Sequence, residues 1–228
     1  MCGRFVSSSS PADLAAYFAA EAPADADVEP RYNVAPTNDV FVVHADGGVR
    51  CLDRFHWGLV PSWAKDPKVG NRMINARSET LAGKGAFKPA FRKRRAIVPA
   101  DGFYEWKATS GSRRKQPYFI HRPDDEPFAF AGLWEVWRGP DRDGSETLRS
   151  TTIITTAANE SMAAVHDRMP VILERDEWAR WLDPEEVDPQ RLEDLLDPAD
   201  PGVLRMHPVS RSVGSPRVDD PSLVQAVA

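Results

Sequence analysis

Short apolar runs, separated by turns rich in glycine, proline, aspartate and serine, dominate this chain and predict a protein built mainly from β-strands. The predicted strands are Val40–Val43, Arg54–Trp57, Ala96–Val98, Phe103–Trp106, Tyr118–His121, Phe128–Leu133 and Ser150–Thr155. Because they do not alternate regularly with helical segments, the pattern disfavours a doubly wound parallel sheet.

Helical patterns are fewer than strand patterns. Ser10 followed by Pro11 is a helix-start signal and predicts a short helix that ends near Ala20. We interpret residues 21–39, which are rich in proline and acidic side chains, as a loop. Further helices are predicted at Asn159–Val165, Asp176–Leu182 and Pro189–Leu196, with Trp178, Trp181 and Leu182 facing inward.

Many short strands with a few helices indicate an α+β protein that is predominantly β. We expect the strands to form a barrel-like or two-sheet core with peripheral helices. The length of 228 residues, 42% of them hydrophobic, suits one large domain or two small ones. With no repeat and no low-complexity linker, we expect a single domain over residues 1–228.

The charge distribution changes the expectation about partners. A net charge of −5 by itself argues against nucleic acid, but residues 50–122 hold 17 Lys and Arg against 5 Asp and Glu. The densest basic run, residues 84–95, interleaves its charges with Phe87 and Phe91. Basic residues alternating with aromatic rings suit a phosphate backbone with stackable bases, and a solvated basic loop is the equally open alternative.

Signals for export, membrane insertion and metal binding are missing from the sequence. There is no signal-peptide pattern and no apolar run of membrane-spanning length. Cys2 and Cys51 are too few for a disulfide framework, and no His/Cys cluster indicates a zinc site. We therefore expect a soluble, cytoplasmic and monomeric protein with no metal and no cofactor.

Cys2 offers the most distinctive chemistry, because it directly follows Met1. If Met1 is removed, one residue carries both a thiol and a free α-amine. Such an amine has an ordinary pKa of about 7.7–8.0, so part of it is nucleophilic at neutral pH. The thiol is the stronger nucleophile once ionised. An aldehyde can condense with the amine to an imine, which the sulfur then closes to a thiazolidine. The alternative is a small residue in a frayed terminus.

Two polar pairs are further candidates for site residues. Asn75 and Arg77 lie two positions apart after an apolar pair, and His166 stands two positions before Arg168 and just ahead of an apolar strand. An amide, a titratable imidazole and two cations could orient and charge a reactive group. The alternatives are a turn residue for Asn75, a surface ion pair for Arg77 and a helix C-terminal cap for His166.

Glu105 is a candidate proton shuttle because it lies in the aromatic run Phe103–Trp106. A carboxylate among apolar side chains is expensive to ionise, so we expect its pKa to rise. The alternative is a buried acid hydrogen-bonded to Tyr104 or to an arginine. Together with Cys2, Asn75 and His166, Glu105 completes a workable set of catalytic groups.

Several separate motifs in a fixed order give the chain a specific family resemblance. It resembles the SRAP family, the SOS-response-associated peptidase-like proteins that sense and crosslink abasic DNA sites, from Cys2 to roughly Val218. The matching segments are MCGR, RYNVAP (31–36), WGLVPSW (57–63), INARSET (74–80), FKPAFRKRRAIVPADGFYEW (87–106), QPY (116–118), HDRMP (166–170) and HPVSRSVG (207–214).

The resemblance implies a reaction at Cys2. Met1 is lost by self-cleavage or to an aminopeptidase, and the aldehyde form of an abasic deoxyribose then gives a Schiff base and a stable thiazolidine DNA–protein crosslink. By similarity, Glu105 shuttles protons during ring opening and imine formation, and His166 assists at the sugar oxygen. Asn75 would hold the Cys2 terminus in place. A Schiff-base lyase activity at abasic sites is also implied.

The resemblance also implies residues that bind DNA. Arg77 and Arg168 would fix the flanking phosphates, with Arg4 joining them, because the planar guanidinium suits phosphate oxygens. Trp63 lies where the family presents aromatic surface to stacked bases. Some relatives carry two adjacent tryptophans there, whereas this chain has Trp63-Ala64. The expected partner is single-stranded DNA that contains abasic sites, and binding to damaged DNA would place the protein on the nucleoid.

Two other functions fit parts of the sequence. One is a cysteine peptidase or an N-terminal-nucleophile amidohydrolase, since class II glutamine amidotransferases also begin Met-Cys-Gly. The other is a non-covalent binder of single-stranded DNA that uses the basic run 84–95. Peptidase activity could also be confined to the removal of Met1.

Overall fold

The protein is described by a computed structural model that covers residues 2–22, 28–109, 111, 114–139 and 146–227. The strands in these residues are β1 (Phe5–Ser7), β2 (Arg31–Val34), β3 (Asp39–Asp46), β4 (Val49–Trp57), β5 (Asn75–Arg77), β6 (Arg95–Ala100), β7 (Gly102–Lys107), β8 (Gln116–His121), β9 (Phe128–Arg138), β10 (Thr147–Ala157), β11 (Arg168–Pro170) and β12 (Arg205–Pro208). The α-helices are α1 (Pro11–Phe18), α2 (Lys88–Lys93), α3 (Glu160–Ala163) and α4 (Trp178–Leu182). Short 3₁₀ helices lie at Pro67–Arg72, Ser78–Thr80, Pro189–Leu196, Pro201–Val203, Arg211–Gly214 and Pro221–Val224.

Five of the strands pair in a closed ring, in the order β3-β4-β10-β9-β6 and back to β3. β5 and β11 extend this sheet by pairing with β10. The other five strands form a second sheet in the order β12-β8-β7-β1-β2. The predicted α+β class, predominantly β with a barrel-like or two-sheet core, is therefore confirmed, since the fold contains both a barrel and a second sheet.

The side chains of the ring strands alternate between two hydrophobic clusters. On β3, Val42 packs into a cluster with Phe103 of the second sheet, whereas Val43 packs into a cluster with Trp181 of α4. This alternation follows from the period of two along a strand. Both valines are fully buried, and burial of such a side chain contributes about 1.5–3 kcal/mol relative to exposure. The barrel is thus held on one side by the second sheet and on the other by helices.

Most predicted elements are confirmed. Each of the seven predicted strands lies within a longer strand from β3 to β10, and three predicted helices correspond to α1, α3 and α4. α1 stops at Phe18, two residues before the predicted end, because Ala19 adopts the left-handed conformation (φ 49°) of a C-cap. No helix among the described residues is long and apolar enough to cross a membrane.

One predicted element is wrong. The segment interpreted as a loop contains β2, because residues 31–34 gain a partner in β1 that a local pattern does not reveal. The helix predicted at Pro189–Leu196 is confirmed with the same bounds and is a 3₁₀ helix, with Asp188 accepting a hydrogen bond from the Gln190 N–H at its start. The inward-facing tryptophans of α4 are confirmed as buried.

The expectation that Phe87 and Phe91 stack on bases is also wrong. The two rings are only 6% and 2% exposed and belong to the hydrophobic cluster beneath α2. Helical spacing places Phe87, Ala90 and Phe91 on one face of this segment and its lysines on the other. Arg95 is buried as well, and its guanidinium donates to the carbonyls of Phe91 and Trp181. Within the basic run, Lys88, Arg92 and Lys93 therefore form the outer face of a packed helix.

A close backbone contact fixes the segment that leads to the candidate site. A Cβ atom added at Gly58 would lie 2.6 Å from the Gly70 oxygen, and one added at Gly70 would lie 2.5 Å from the Gly58 oxygen. Gly58 also has a φ of +141°, which side chains rarely adopt. The Trp57 indole N–H donates to the Ile74 carbonyl at 3.0 Å. The chain therefore leaves β4 at Gly58 and comes back into contact with Gly58 at Gly70. It then enters β5, which pairs with β10.

Candidate functional site

Cys2 lies next to the second sheet because β1 is an interior strand of that sheet. β1 pairs with β7 so that Phe5 faces Phe103, and the Tyr104 N–H donates to the Arg4 carbonyl at 3.0 Å. Extending this antiparallel register by two residues places Gly3 opposite Glu105. Cys2 has no exposed surface and packs into the cluster between the barrel and the second sheet. The residue is thus part of the core and not a frayed terminus.

Asn75 joins the barrel to Cys2. It begins β5, which pairs in parallel with β10, and its side-chain Nδ2 donates to the Cys2 carbonyl at 2.8 Å. Asn75 Oδ1 is buried and has no hydrogen-bond partner among the described residues. The amide therefore holds the backbone of Cys2 and keeps a second polar atom available in the same place.

Glu105 lies on β7 and is only 3% exposed. Burial raises the pKa of the Glu105 carboxyl. Burial also raises the pKa of the Cys2 thiol, and the nearby Glu105 carboxylate raises it further. Both groups accordingly favour their neutral forms, so the Cys2 thiol is protonated near neutral pH. The expectation that the pKa of Glu105 is raised is confirmed.

His166 faces Glu105 from a loop between α3 and β11. The distance from His166 Nε2 to Glu105 Oε2 is 3.9 Å. His166 Nδ1 accepts a hydrogen bond from the Arg168 backbone N–H at 3.0 Å and lies 2.9 Å from Asp167 Oδ1. The His166 side chain is 25% exposed, so it is more exposed to solvent than the Glu105 side chain.

The fold thus brings together the four candidate catalytic residues, which are far apart in sequence. We call Cys2, Asn75, Glu105 and His166 the Cys2 pocket. The Cys2 pocket combines a thiol, an amide and two groups that exchange protons. Such a set can form and break bonds to a carbonyl carbon while protons move between buried partners.

The three candidate phosphate-binding arginines differ in what they contact. The Arg4 guanidinium donates to Asn33 Oδ1 at 2.7 Å and to the Val213 carbonyl at 2.9 Å. Arg168 forms a two-pronged ion pair with Glu79. Arg168 also donates to the Thr155 carbonyl at 2.6 Å, and its side chain is only 14% exposed. Both of these guanidinium groups therefore hold parts of the fold.

Arg77 is the exposed member of the three. It is the last residue of β5, two positions beyond Asn75, and its side chain points to solvent. The strand therefore places a cation just outside the Cys2 pocket, on the element that carries the Asn75 amide.

Trp63 forms an exposed aromatic surface on the segment between β4 and β5. Its side chain is 59% exposed, the largest exposure among the large hydrophobic residues that the structure describes. A surface groove of about 380 Å³ adjoins it and is lined by Lys65, Lys68 and Arg72. The Trp137 indole N–H donates to the Ala64 carbonyl at 2.8 Å and fixes this segment to β9. We call Trp63, Lys65, Lys68 and Arg72 the Trp63 ledge.

Sequence reasoning missed several partners of the site residues. Glu79 lies in the same motif as Asn75 and pairs with Arg168, but nothing in the local pattern pairs the two. Asp167 adjoins His166 in the chain, so its proximity could have been noticed. Asn33 is fully buried, with Nδ2 donating to carbonyls of the C-terminal segment, including that of Val218 at 2.7 Å. Asn33 lies within the segment RYNVAP (31–36) of the family resemblance, but nothing in the local pattern pairs it with the C-terminal segment.

The chain is similar to known proteins over nearly its whole length. The model of the family described as "SOS response associated peptidase (SRAP)" matches residues 1–216. The chain is 41% identical to the "Abasic site processing protein YoqW" of Bacillus subtilis over 227 residues, covering 99% of this chain and 100% of that protein. It is 34% identical to the "Abasic site processing protein YedK" of Escherichia coli, covering all of both chains.

Solved structures resemble the fold over most of its length. A protein from Bacteroides thetaiotaomicron superimposes with a TM-score of 0.88 at 26% identity, covering 100% of both chains. A phage-related protein from Bordetella bronchiseptica superimposes with a TM-score of 0.69 at 32% identity, covering 92% of this chain and 95% of that one.

Proposed function

The chain belongs to the SRAP family, and we propose that it recognises abasic sites in single-stranded DNA and captures them covalently through Cys2. The names of the relatives supply the substrate class, since those proteins are called abasic site processing proteins. The observation that carries the proposal is the hydrogen bond from Asn75 to the Cys2 carbonyl, at 2.8 Å. It holds the chain terminus against Glu105, where an aldehyde carbon could be attacked.

The proposed reaction begins with the amine and ends with the thiol. Removal of Met1, by self-cleavage or by an aminopeptidase, leaves the α-amine on Cys2. In the proposed order, the amine attacks the sugar aldehyde first. Loss of water from the carbinolamine gives an imine. The sulfur then bonds to the imine carbon, its proton passes to the nitrogen, and a five-membered thiazolidine results.

Glu105 and His166 are the proposed proton carriers. The buried Glu105 carboxyl, with its raised pKa, can donate a proton to the departing hydroxyl of the carbinolamine. His166, at 3.9 Å and more exposed, can exchange protons with the sugar oxygen and with water. General acid–base groups of this kind contribute roughly 10²–10⁴-fold to a rate. Asn75 would keep the Cys2 terminus in reach of both groups.

The proposed DNA contacts lie outside the Cys2 pocket. Arg77 is exposed beside it and suits a phosphate next to the reacting sugar. Trp63 suits a stacked base, and the cations of the Trp63 ledge suit the strand that continues past it. Arg168 and Arg4 already donate hydrogen bonds within the fold. Each would contact a phosphate only through N–H groups that those bonds do not use.

Two further activities follow from the same intermediate and the same nucleophile. The imine permits a lyase reaction, in which loss of a neighbouring sugar proton expels the 3′-phosphate and cuts the strand. Closure of the thiazolidine ends that route by consuming the imine. Peptidase activity would be confined to the bond after Met1, whose cleavage frees the α-amine of Cys2.

Mass spectrometry separates the candidate functions. The intact mass of the purified protein shows whether Met1 is gone, and the protein is then mixed with an oligonucleotide that bears one abasic site. We expect a stable adduct whose mass is that of the two components less one water. A hydrolysed amide bond in an added peptide would favour the peptidase, and a reversible complex alone would favour a non-covalent binder.

A further inference from the structure

His166 Nδ1 has two neighbours that cannot both be satisfied at the same time. The Arg168 backbone N–H donates to Nδ1 at 3.0 Å, which requires a lone pair on that nitrogen. Asp167 Oδ1 lies 2.9 Å from the same atom, a contact that is favourable only if Nδ1 carries a proton. Each neighbour therefore selects a different protonation pattern of the imidazole.

The choice at Nδ1 decides what Nε2 can do. With the Arg168 N–H at Nδ1, the neutral ring carries its proton on Nε2, so Nε2 can donate but cannot accept. With Asp167 at Nδ1, the neutral ring carries its proton on Nδ1, and Nε2 presents a lone pair. The same carboxylate stabilises the doubly protonated ring, from which Nε2 can release a proton. Acid–base exchange through Nε2 therefore requires the Asp167 arrangement.

We propose that Asp167 is a positioning residue that orients and charges His166 for proton exchange through Nε2. The inference rests on the proposed function, in which His166 exchanges a proton with the sugar oxygen. A proton that arrives at Nε2 gives the imidazolium, with Nδ1–H donating to Asp167. When Nε2 releases it, the Nδ1–H tautomer returns with the Asp167 bond intact. No bond at Nδ1 has to break during this exchange.

The charged groups around the imidazole have separate positions. Glu105 faces Nε2 from β7 at 3.9 Å, and Asp167 faces Nδ1 from the loop of His166 itself. The guanidinium of Arg168 is paired with Glu79 from the 3₁₀ helix Ser78–Thr80. Removal of Asp167 consequently leaves the Arg168 N–H as the partner of Nδ1 and fixes the Nε2–H tautomer.

The fold contains another His–Asp contact that serves as a control. His121 Nδ1 lies 3.0 Å from Asp125 Oδ1, with side-chain exposures of 22% and 84%. The exposures of His166 and Asp167 are 25% and 87%. His121 lies at the end of β8 and has no part in the proposed reaction. Asp125→Asn therefore changes a similar pair without touching the Cys2 pocket.

Imidazole ¹⁵N NMR tests the pairing independently of any reaction with DNA. In Asp167→Asn, we expect neutral His166 to move toward the Nε2–H tautomer. Asp167→Glu is expected to restore much of the Nδ1–H population. If the ¹⁵N shifts of His166 are the same in Asp167→Asn and in the unaltered protein, the proposal is overturned.

Single-turnover crosslinking completes the test. We expect Asp167→Asn to slow crosslinking about tenfold, less than the 10²–10⁴-fold of a full acid–base group because the carboxylate is exposed. Asp167→Glu should recover most of the rate, and Asp125→Asn should leave it unchanged. An unaltered rate and pH profile in Asp167→Asn would overturn the positioning role. A protein that forms no adduct at all would instead overturn the proposed function, while the NMR comparison would still decide the tautomer.

Discussion

The Cys2 pocket and the Trp63 ledge are built in opposite ways. In the pocket, Cys2 is fully buried and Glu105 is 3% exposed, and a hydrogen bond from Asn75 fixes the backbone at Cys2. On the ledge, Trp63 is 59% exposed and the neighbouring cations line an open groove. The pocket is held from several strands at once, whereas the ledge is a single segment between β4 and β5.

Under the proposed function, this difference assigns the crosslinking rate to the Cys2 pocket and the DNA affinity to the Trp63 ledge. Buried groups have shifted pKa values and fixed positions, which favour proton transfer and bond formation. Exposed aromatic and cationic side chains instead form their contacts when DNA binds, and so contribute to affinity. Variants of the pocket should therefore change the crosslinking rate, and variants of the ledge should change DNA binding.

Cys2→Ser is expected to have the largest effect, because a serine hydroxyl cannot close the thiazolidine. The stable adduct should disappear from denaturing gels and mass spectra, while reversible binding to an undamaged single strand stays unchanged. Cys51→Ser is the matched control, since Cys51 is the other cysteine of the chain and lies on β4. A stable adduct at normal yield from Cys2→Ser would contradict the assignment of the nucleophile.

Glu105→Gln should slow crosslinking by roughly 10²–10⁴-fold, the usual contribution of a general acid–base group. Glutamine keeps the shape and the hydrogen bonding of the side chain but cannot release a proton. Single-turnover rates between pH 5 and 9, with affinity measured in parallel, test the prediction. Equal rates at every pH would make Glu105 a structural acid.

Trp63→Ala should weaken binding to a single strand roughly 5- to 150-fold, equivalent to the ~1–3 kcal/mol of one base stacked on an aromatic ring. The crosslinking rate at saturating DNA should not change. Val49→Ala is the control, because Val49 is also exposed, at 43%, but lies on the β3–β4 hairpin. If Trp63→Ala lowers the crosslinking rate at saturating DNA, the Trp63 ledge contributes to the rate as well as to binding, and the proposed division of roles is wrong.

Arg77→Ala should reduce the dependence of log Kd on log salt by about 0.7, the value for one phosphate contact on a single strand. The exposed position of Arg77 predicts little change in the free energy of unfolding. Arg168→Ala should instead destabilise the fold, because it leaves Glu79 and Thr155 without their guanidinium partner. An unchanged salt dependence in Arg77→Ala would assign Arg77 a role other than phosphate binding.

A smaller effect concerns the pH dependence of stability. Because burial raises the pKa of Glu105 in the folded state, the folded protein binds more protons than the unfolded chain above the ordinary value of about 4.3. Stability should therefore fall as pH rises from that value to the folded pKa, and Glu105→Gln should lack this fall. Urea unfolding of both proteins between pH 4 and 8 measures the difference, and parallel curves would contradict it.

The sequence identified most of the strands because short apolar runs bounded by turn residues are a local property. It failed for β2, whose strand character comes from pairing with β1, and for Phe87 and Phe91, whose burial depends on α2 packing against the barrel. The raised pKa of Glu105 was predictable from its aromatic neighbours alone. The candidate residues of the Cys2 pocket, and Trp63 of the Trp63 ledge, were likewise visible as motifs.

Only the tertiary structure decided which of those motifs meet. The register of β1 on β7 and the return of the chain from Gly58 to β5 bring Cys2, Asn75 and Glu105 together, and neither can be read from local patterns. The same holds for the arginines, which look alike in sequence. Arg77 ends a strand at the surface, whereas Arg168 meets Glu79 from a distant segment. Local sequence determines the chemistry that each side chain can perform, and long-range packing determines its partner and its access to solvent.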